Sequence, residues 1–129
     1  MEKPKILPPT LREKERYIVF EIISESPVLY QDFSKALWFT ASSFLGDLGA
    51  AESHPRIIKN LYSERMQRGI VRCRHDRTEH VRAALAMIRK IGGKDSVIKV
   101  LGITGTIKSA KNKYLGYTDL KSFENQESD

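Results

Sequence analysis

One cysteine in 129 residues, Cys73, rules out an intrachain disulfide and any cysteine-rich zinc cluster. No apolar run approaches the roughly 20 residues that a membrane-spanning helix needs, so a membrane is not an expected partner. Met1-Glu2-Lys3-Pro4 opens the chain without the apolar segment of a secretory signal, and a reducing, cytoplasmic location is the expectation. Repeats and low-complexity tracts are missing too, which removes solenoid and fibrous architectures. With 40% hydrophobic and 29% charged residues, the chain reads as one globular domain. At this length folding buries roughly two-thirds of the unfolded surface, enough for one core without staples.

Charge is abundant and unevenly placed. The net +6 resolves into +2 over residues 1–16, −4 over 17–55, +8 over 56–94, +3 over 95–113 and −3 over 114–129. A block of +11 therefore sits between acidic flanks, and a concentrated basic surface points to a polyanionic partner, most often nucleic acid. The blander alternative is a solvated charged surface.

Pro4, Pro8 and Pro9 among mixed charges make residues 1–16 an extended basic arm. Tyr17 to Ile23 is β-branched and aromatic and is closed by Ser24-Glu25-Ser26-Pro27, the pattern of a buried strand. From Gln31 the period becomes helical through Phe33, Ala36, Leu37, Thr40, Ala41, Phe44 and Leu45, and Gly46 is expected to end it. Residues 46–55 read as a small-residue connection. Arg56 to Tyr62 and Gly69 to His75 read as a hairpin across Ser63 to Arg68, with Val71 and Cys73 on one face and Ile70, Arg72 and Arg74 on the other. Asp76 and Glu79 have the spacing of a capping box. The helix they predict carries a stripe of Val81, Ala84, Leu85, Ile88 and Ile91, puts Arg82 and Arg89 outside, and stops at Gly92-Gly93. Ser96 to Thr104 reads as the last strand, followed by a short Lys-rich segment and an acidic tail over 114–129.

Strand, helix, strand, strand, helix, strand is the ferredoxin-like, RRM-like split βαβ sandwich, an α+β fold with a four-stranded antiparallel sheet and two main helices on one face, here over residues 17–113. The other sheet face is expected to be open, as in RNA-recognition modules, although regulatory and enzymatic domains share the topology.

Three constellations bear on chemistry. Arg72 and Arg74 share a strand face, where guanidinium groups fork onto phosphates or stack on bases, or simply solubilise an exposed strand. Gly105 to Lys113, with the hydroxyls of Thr104, Thr106 and Ser109 and the side chains of Lys108, Lys111 and Lys113, has the composition of a phosphate cradle and equally of an ordinary strand exit. His54, His75 and His80 lack zinc-ligand spacing, so no metal site is expected, and His75 reads as a hydrogen-bonding residue at a strand end. Cys73 reads as a buried, inert thiol. Trp38 lies off the main stripe of the first helix, as a core rim or an interface anchor. No nucleophile with an assigned base, no paired carboxylates and no Walker loop emerge. Acylphosphatase-type enzymes share the element order, yet they need an arginine in the loop after the first strand, where this chain has Ser24 to Tyr30.

The runs Pro8-Pro9-Thr10-Leu11-Arg12, Arg16 to Phe20, Arg68 to His75, Val81 to Leu85 and Leu101 to Lys108 occur in an order and spacing that closely resemble the archaeal ribonuclease P protein component 2 family, related to a eukaryotic subunit shared by ribonucleases P and MRP. The resemblance covers roughly Pro8 to Lys113. It implies a noncatalytic subunit that supports the catalytic RNA in removing 5′ leaders from precursor tRNA, with Mg²⁺ on the RNA and no cofactor on the protein. Arg12, Lys14, Arg16, Arg72, Arg74, Lys108, Lys111 and Lys113 are the RNA-contact candidates. The implied partners are the ribonuclease P RNA, ribonuclease P protein component 3 and a second copy of the chain in a heterotetramer, with precursor tRNA reached indirectly. Trp38, Phe39, Phe44 and Leu48, more apolar surface than one helix needs for its own core, are the protein-interface candidates. The rival expectation is a stand-alone regulatory or acylphosphatase-type domain.

Overall fold

Alternation along the first strand sets up two cores. In the computed structural model, which describes residues 14–53 and 55–115, β1 (Glu15–Ser24) is the central strand of an antiparallel sheet ordered β2-β3-β1-β5-β4. Ile18, Phe20 and Ile22 point to the side covered by the two main helices, where Phe20 stacks on Phe33 at 4.6 Å between ring centroids. Val19 points the other way, into a second cluster with Ile70, Ala110 and Leu115.

Helix α1 (Tyr30–Ser53) buries Phe33, Leu37 and Ala41. Gly46 does not end it. At φ +79° this glycine breaks the hydrogen-bond ladder and the chain resumes helical structure beyond it. The expected connection over 46–55 is thus mostly the second limb of α1. Its small residues have a packing reason: Ala41, Ala50 and Ala84 form a cluster in which the two helices approach closely.

Strand β2 (Arg56–Ile57) has two residues instead of the expected seven. After Ile58, whose N–H still donates to the Ile70 carbonyl at 3.0 Å, a 3₁₀ turn over Lys59–Leu61 leaves the sheet edge. Tyr62 draws the chain inward, its hydroxyl donating to the Val28 carbonyl at 2.6 Å and its ring stacking near Phe20 and Phe33. Strand β3 (Arg68–Arg74) pairs with β1, and Val71 and Cys73 share the helix-side core, on one face as the alternation predicts.

The capping box does not form. The Asp76 carboxylate instead accepts from Arg74 at 3.0 Å inside a 3₁₀ turn (His75–Arg77), and α2 (Thr78–Met87) starts without a side-chain cap. That helix also ends earlier than its apolar stripe suggests. Ile88 is extended, Ile91 belongs to a short strand β4 (Lys90–Ile91), and Gly92 and Gly93, at φ +58° and +83°, make a two-residue turn into β5 (Lys94–Thr104). Positive φ at both central positions is what a type I′ hairpin turn requires, so the glycine pair joins a fifth strand rather than only stopping a helix.

The face expected to be open is partly closed. Val19 pairs with Gly102 and Phe20 with Val100, so Leu101 is an extra residue, a β-bulge. Beyond it α3 (Ile107–Tyr114), capped by the Thr106 hydroxyl accepting from the Ser109 N–H at 3.1 Å, lies back across the sheet. Its Ala110, with Leu115 just after it, seals Val19 and Ile70. The ferredoxin-like core is therefore elaborated by an edge hairpin and a third helix.

Candidate nucleic-acid interface

Register places the basic residues. Thr104, Tyr17, Arg72 and Arg56 are successive Cα partners across β5, β1, β3 and β2, so their side chains stand on one face as a single rung. One rung outward on the same face, Glu15 opposes Arg74. The cluster sealed by α3 lies on the inner side of this rung, which leaves Tyr17, Arg72 and Arg56 at the border of the covered area.

Ion pairs hold these groups in position. Arg72 Nε lies 3.6 Å from Glu15 Oε2, and Arg74 donates to Asp76 at 3.0 Å. Partial exposure makes both pairs weak, so a phosphate can displace either carboxylate at little cost. His75 ties the same end together: its N–H donates to the Lys14 carbonyl at 2.9 Å and its Nδ1 lies 3.2 Å from that oxygen, the strand-end role expected of it.

The sequence-chosen residues divide. Arg72 and Arg74 share a strand face, and Arg72 lines one pocket with Ile107 at the start of α3, whereas Lys108, the next helical residue, is not part of that lining. Lys108 and Lys113 are exposed and Lys111 is half-buried. Arg68 donates to the Tyr114 carbonyl at 2.8 Å and so fixes the other end of the helix. Arg16 opposes Cys73 and thus lies on the helix-covered side, away from Arg72. Lys14 is exposed, and Arg12 and His54 lie outside the described residues. The hydroxyl cradle after β5 is used by the fold itself: Thr104 donates to the Thr106 carbonyl at 2.9 Å, and Thr106 caps α3.

Arg56 is the member that sequence reasoning missed. Counting outward from the Ser63–Arg68 bridge puts Lys59 opposite Arg72, and only the 3₁₀ turn shifts the register so that Arg56 takes that place.

Trp38, Phe39, Phe44 and Leu48 are 52%, 72%, 47% and 73% exposed. Adjacent helical residues diverge by about 100°, and Trp38 parts from Phe39 to line a pocket beside Pro55 and Arg56. Cys73 is fully buried, and burial pushes its thiol up to about 11. Among the described residues, no group of three or more His, Cys, Asp or Glu side chains is arranged to hold a metal ion, and no helix is long and apolar enough to cross a membrane.

Fold and site together define a basic α+β module whose arginines are positioned by strand register. Residues 16–115 match the model of the Rpp14/Pop5 family. The proteins called ribonuclease P protein component 2 in Thermococcus gammatolerans and Thermococcus kodakarensis are 45% and 46% identical over 114 residues, covering 88% of this chain and 93% of each relative. The one in Methanosarcina barkeri is 44% identical over 114 residues, covering 88% of this chain and 82% of its own length. A chain in the cryo-EM structure of yeast ribonuclease MRP shares the fold, with a TM-score of 0.58 at 11% identity over 91% of this chain and 94% of that one. The chain belongs to the Rpp14/Pop5 family.

Proposed function

We propose that the chain is a protein subunit of ribonuclease P that does not itself cleave RNA. It binds and supports the catalytic RNA for removal of 5′ leaders from precursor tRNA. The observation that carries this reading is the family match across nearly the whole described domain, at 45% identity to a ribonuclease P protein component 2. The rung of Arg56 and Arg72, with Arg74 beside it, supports the RNA-binding part. Positioned guanidinium groups lower phosphate repulsion within a folded RNA, a task that needs positive charge and no acid–base pair. In this reading Mg²⁺ sits on the RNA.

The partners follow from the same reading: ribonuclease P RNA, ribonuclease P protein component 3 and a second copy of this chain. Phe39, Phe44 and Leu48, uncovered on α1, are the surface offered to protein. Reconstitution tests the whole. Precursor tRNA cleavage by an archaeal ribonuclease P RNA and the other protein components should rise severalfold when this chain is added. Cleavage by the purified chain alone in Mg²⁺, or no effect of adding it, overturns the proposal.

A further inference from the structure

The rung of arginines opens onto a pocket of about 460 Å³ at the β2 edge, lined among others by Tyr30, Ser34, Trp38, Arg56, Arg72 and Ile107. Residues from both sides of the sheet meet there: Tyr30 and Trp38 come from α1 in one layer and Ile107 from α3 in the other. They can meet because β2 is only two residues long and does not wall them apart. The volume lies within the range of small-ligand sites.

Its lining has two chemistries side by side. Arg56 and Arg72 are directly opposed on neighbouring strands, and the Glu15 carboxylate that Arg72 holds at 3.6 Å is a part-exposed, weak partner that a phosphate can replace. Trp38 is half-exposed, lines the same pocket, and also borders a second hollow together with Pro55 and Arg56. Tyr30 is already engaged, with the Lys59 ammonium 5.7 Å from its ring centroid and the Tyr62 ring tilted against it at 6.1 Å. Trp38 is therefore the aromatic plane available for stacking, and the Ser34 hydroxyl is a polar group beside it. A phosphate-only site has no use for an aromatic wall, and an apolar peptide has no use for two arginines.

Resting on the RNA-binding reading above, we propose that this pocket takes one unpaired nucleotide of a single RNA strand, its base stacked on Trp38 and its phosphate held by Arg56 and Arg72. Stacking of this kind is tolerant of sequence and requires an unstacked base, so the site selects single-stranded over duplex RNA.

Trp38 is the single tryptophan of the chain, so its emission reports the site directly. The full chain is titrated with an adenosine pentaribonucleotide and with an RNA duplex carrying the same number of phosphates, while anisotropy of labelled copies of each RNA measures binding independently. The pentamer should quench Trp38 strongly and the duplex should not. Trp38→Ala should weaken pentamer binding about tenfold and leave duplex binding unchanged, and Trp38→Phe should recover most of the loss. Absence of quenching while anisotropy shows the pentamer bound, or equal quenching by the duplex, overturns the pocket assignment and leaves the RNA-binding reading standing. Emission that responds to added ribonuclease P protein component 3 and not to RNA assigns the pocket to a protein and overturns it too. No binding of either RNA by anisotropy in about 50 mM salt overturns both.

Discussion

Tyr114 lies over Gly102 so closely that a methyl group at the glycine would collide with the phenol ring. Gly102 stands opposite Val19 at the edge of the bulge, and Tyr114 is the last residue of α3. The missing side chain on one strand thus admits the ring that anchors the helix sealing Val19 and Ile70. Gly102→Ala should destabilise the protein by about 1–3 kcal/mol, the range of an overpacked contact that the phenol ring must move to relieve. Adding Tyr114→Ala should cost less than the sum of the two single changes, measured by urea unfolding as a double-mutant cycle.

The β4–β5 turn gives a purely conformational test. An added Cβ at Gly93 meets nothing within 4 Å, yet its φ of +83° is one that alanine resists. Gly93→Ala should therefore cost about 1–2 kcal/mol in thermal melts, and Gly93→Asn clearly less, since asparagine tolerates left-handed backbone.

Cys73 makes stability depend on alkaline pH. Burial raises its thiol from 9.0 to about 11, so between those values the folded chain keeps a proton that the unfolded chain has released. The stabilisation is complete below pH 9 and is lost as pH rises towards 11, at a slope of at most about 1.4 kcal/mol per unit. Tyr62, raised to about 12 by burial, adds a similar loss from pH 10 upward. Unfolding free energies of wild type and Cys73→Ala at pH 8, 9 and 10 should converge as pH rises. Parallel lines would show that the thiol is not desolvated.

Position, and not charge alone, should decide which arginines matter to RNA. Arg72→Ala with Arg74→Ala removes two charges from the candidate interface, while Arg82→Ala with Arg89→Ala removes two exposed charges elsewhere. Each ordered contact is worth about 1.5–3 kcal/mol, so the first pair should lose more than tenfold in RNA affinity at physiological salt and the second only a few-fold. Equal losses would mean diffuse attraction.

Phe39 and Leu48, both more than 70% exposed, contribute little to the isolated fold. Phe39→Ser with Leu48→Ser should change unfolding free energy by less than about 1 kcal/mol. On the partner reading proposed above, the same double variant should lose binding to ribonuclease P protein component 3 in calorimetry, and undiminished binding would remove this surface from that reading.

Much of this molecule was legible in its sequence, because period and charge are local properties. The β-branched and aromatic run from Tyr17 to Ile23 gave β1, though not its two faces, the spacing from Phe33 to Ala41 gave the first limb of α1, and segmental charge located the basic block. Relations between distant segments were another matter. Ile88 and Ile91 fit a helical stripe as well as a buried hairpin, and pairing with β5 decided for the hairpin. The sequence alone fixes no register across a turn, so Arg56 came to oppose Arg72 only when Tyr62 pulled its segment inward and the 3₁₀ turn shifted the pairing. The Lys-rich segment after Gly105 became a covering helix because Gly102 leaves room for Tyr114. Local pattern determined the elements and the charge that suits them to RNA. Tertiary packing decided which arginines stand together and which face of the sheet stays open, because both depend on contacts between residues far apart in the chain.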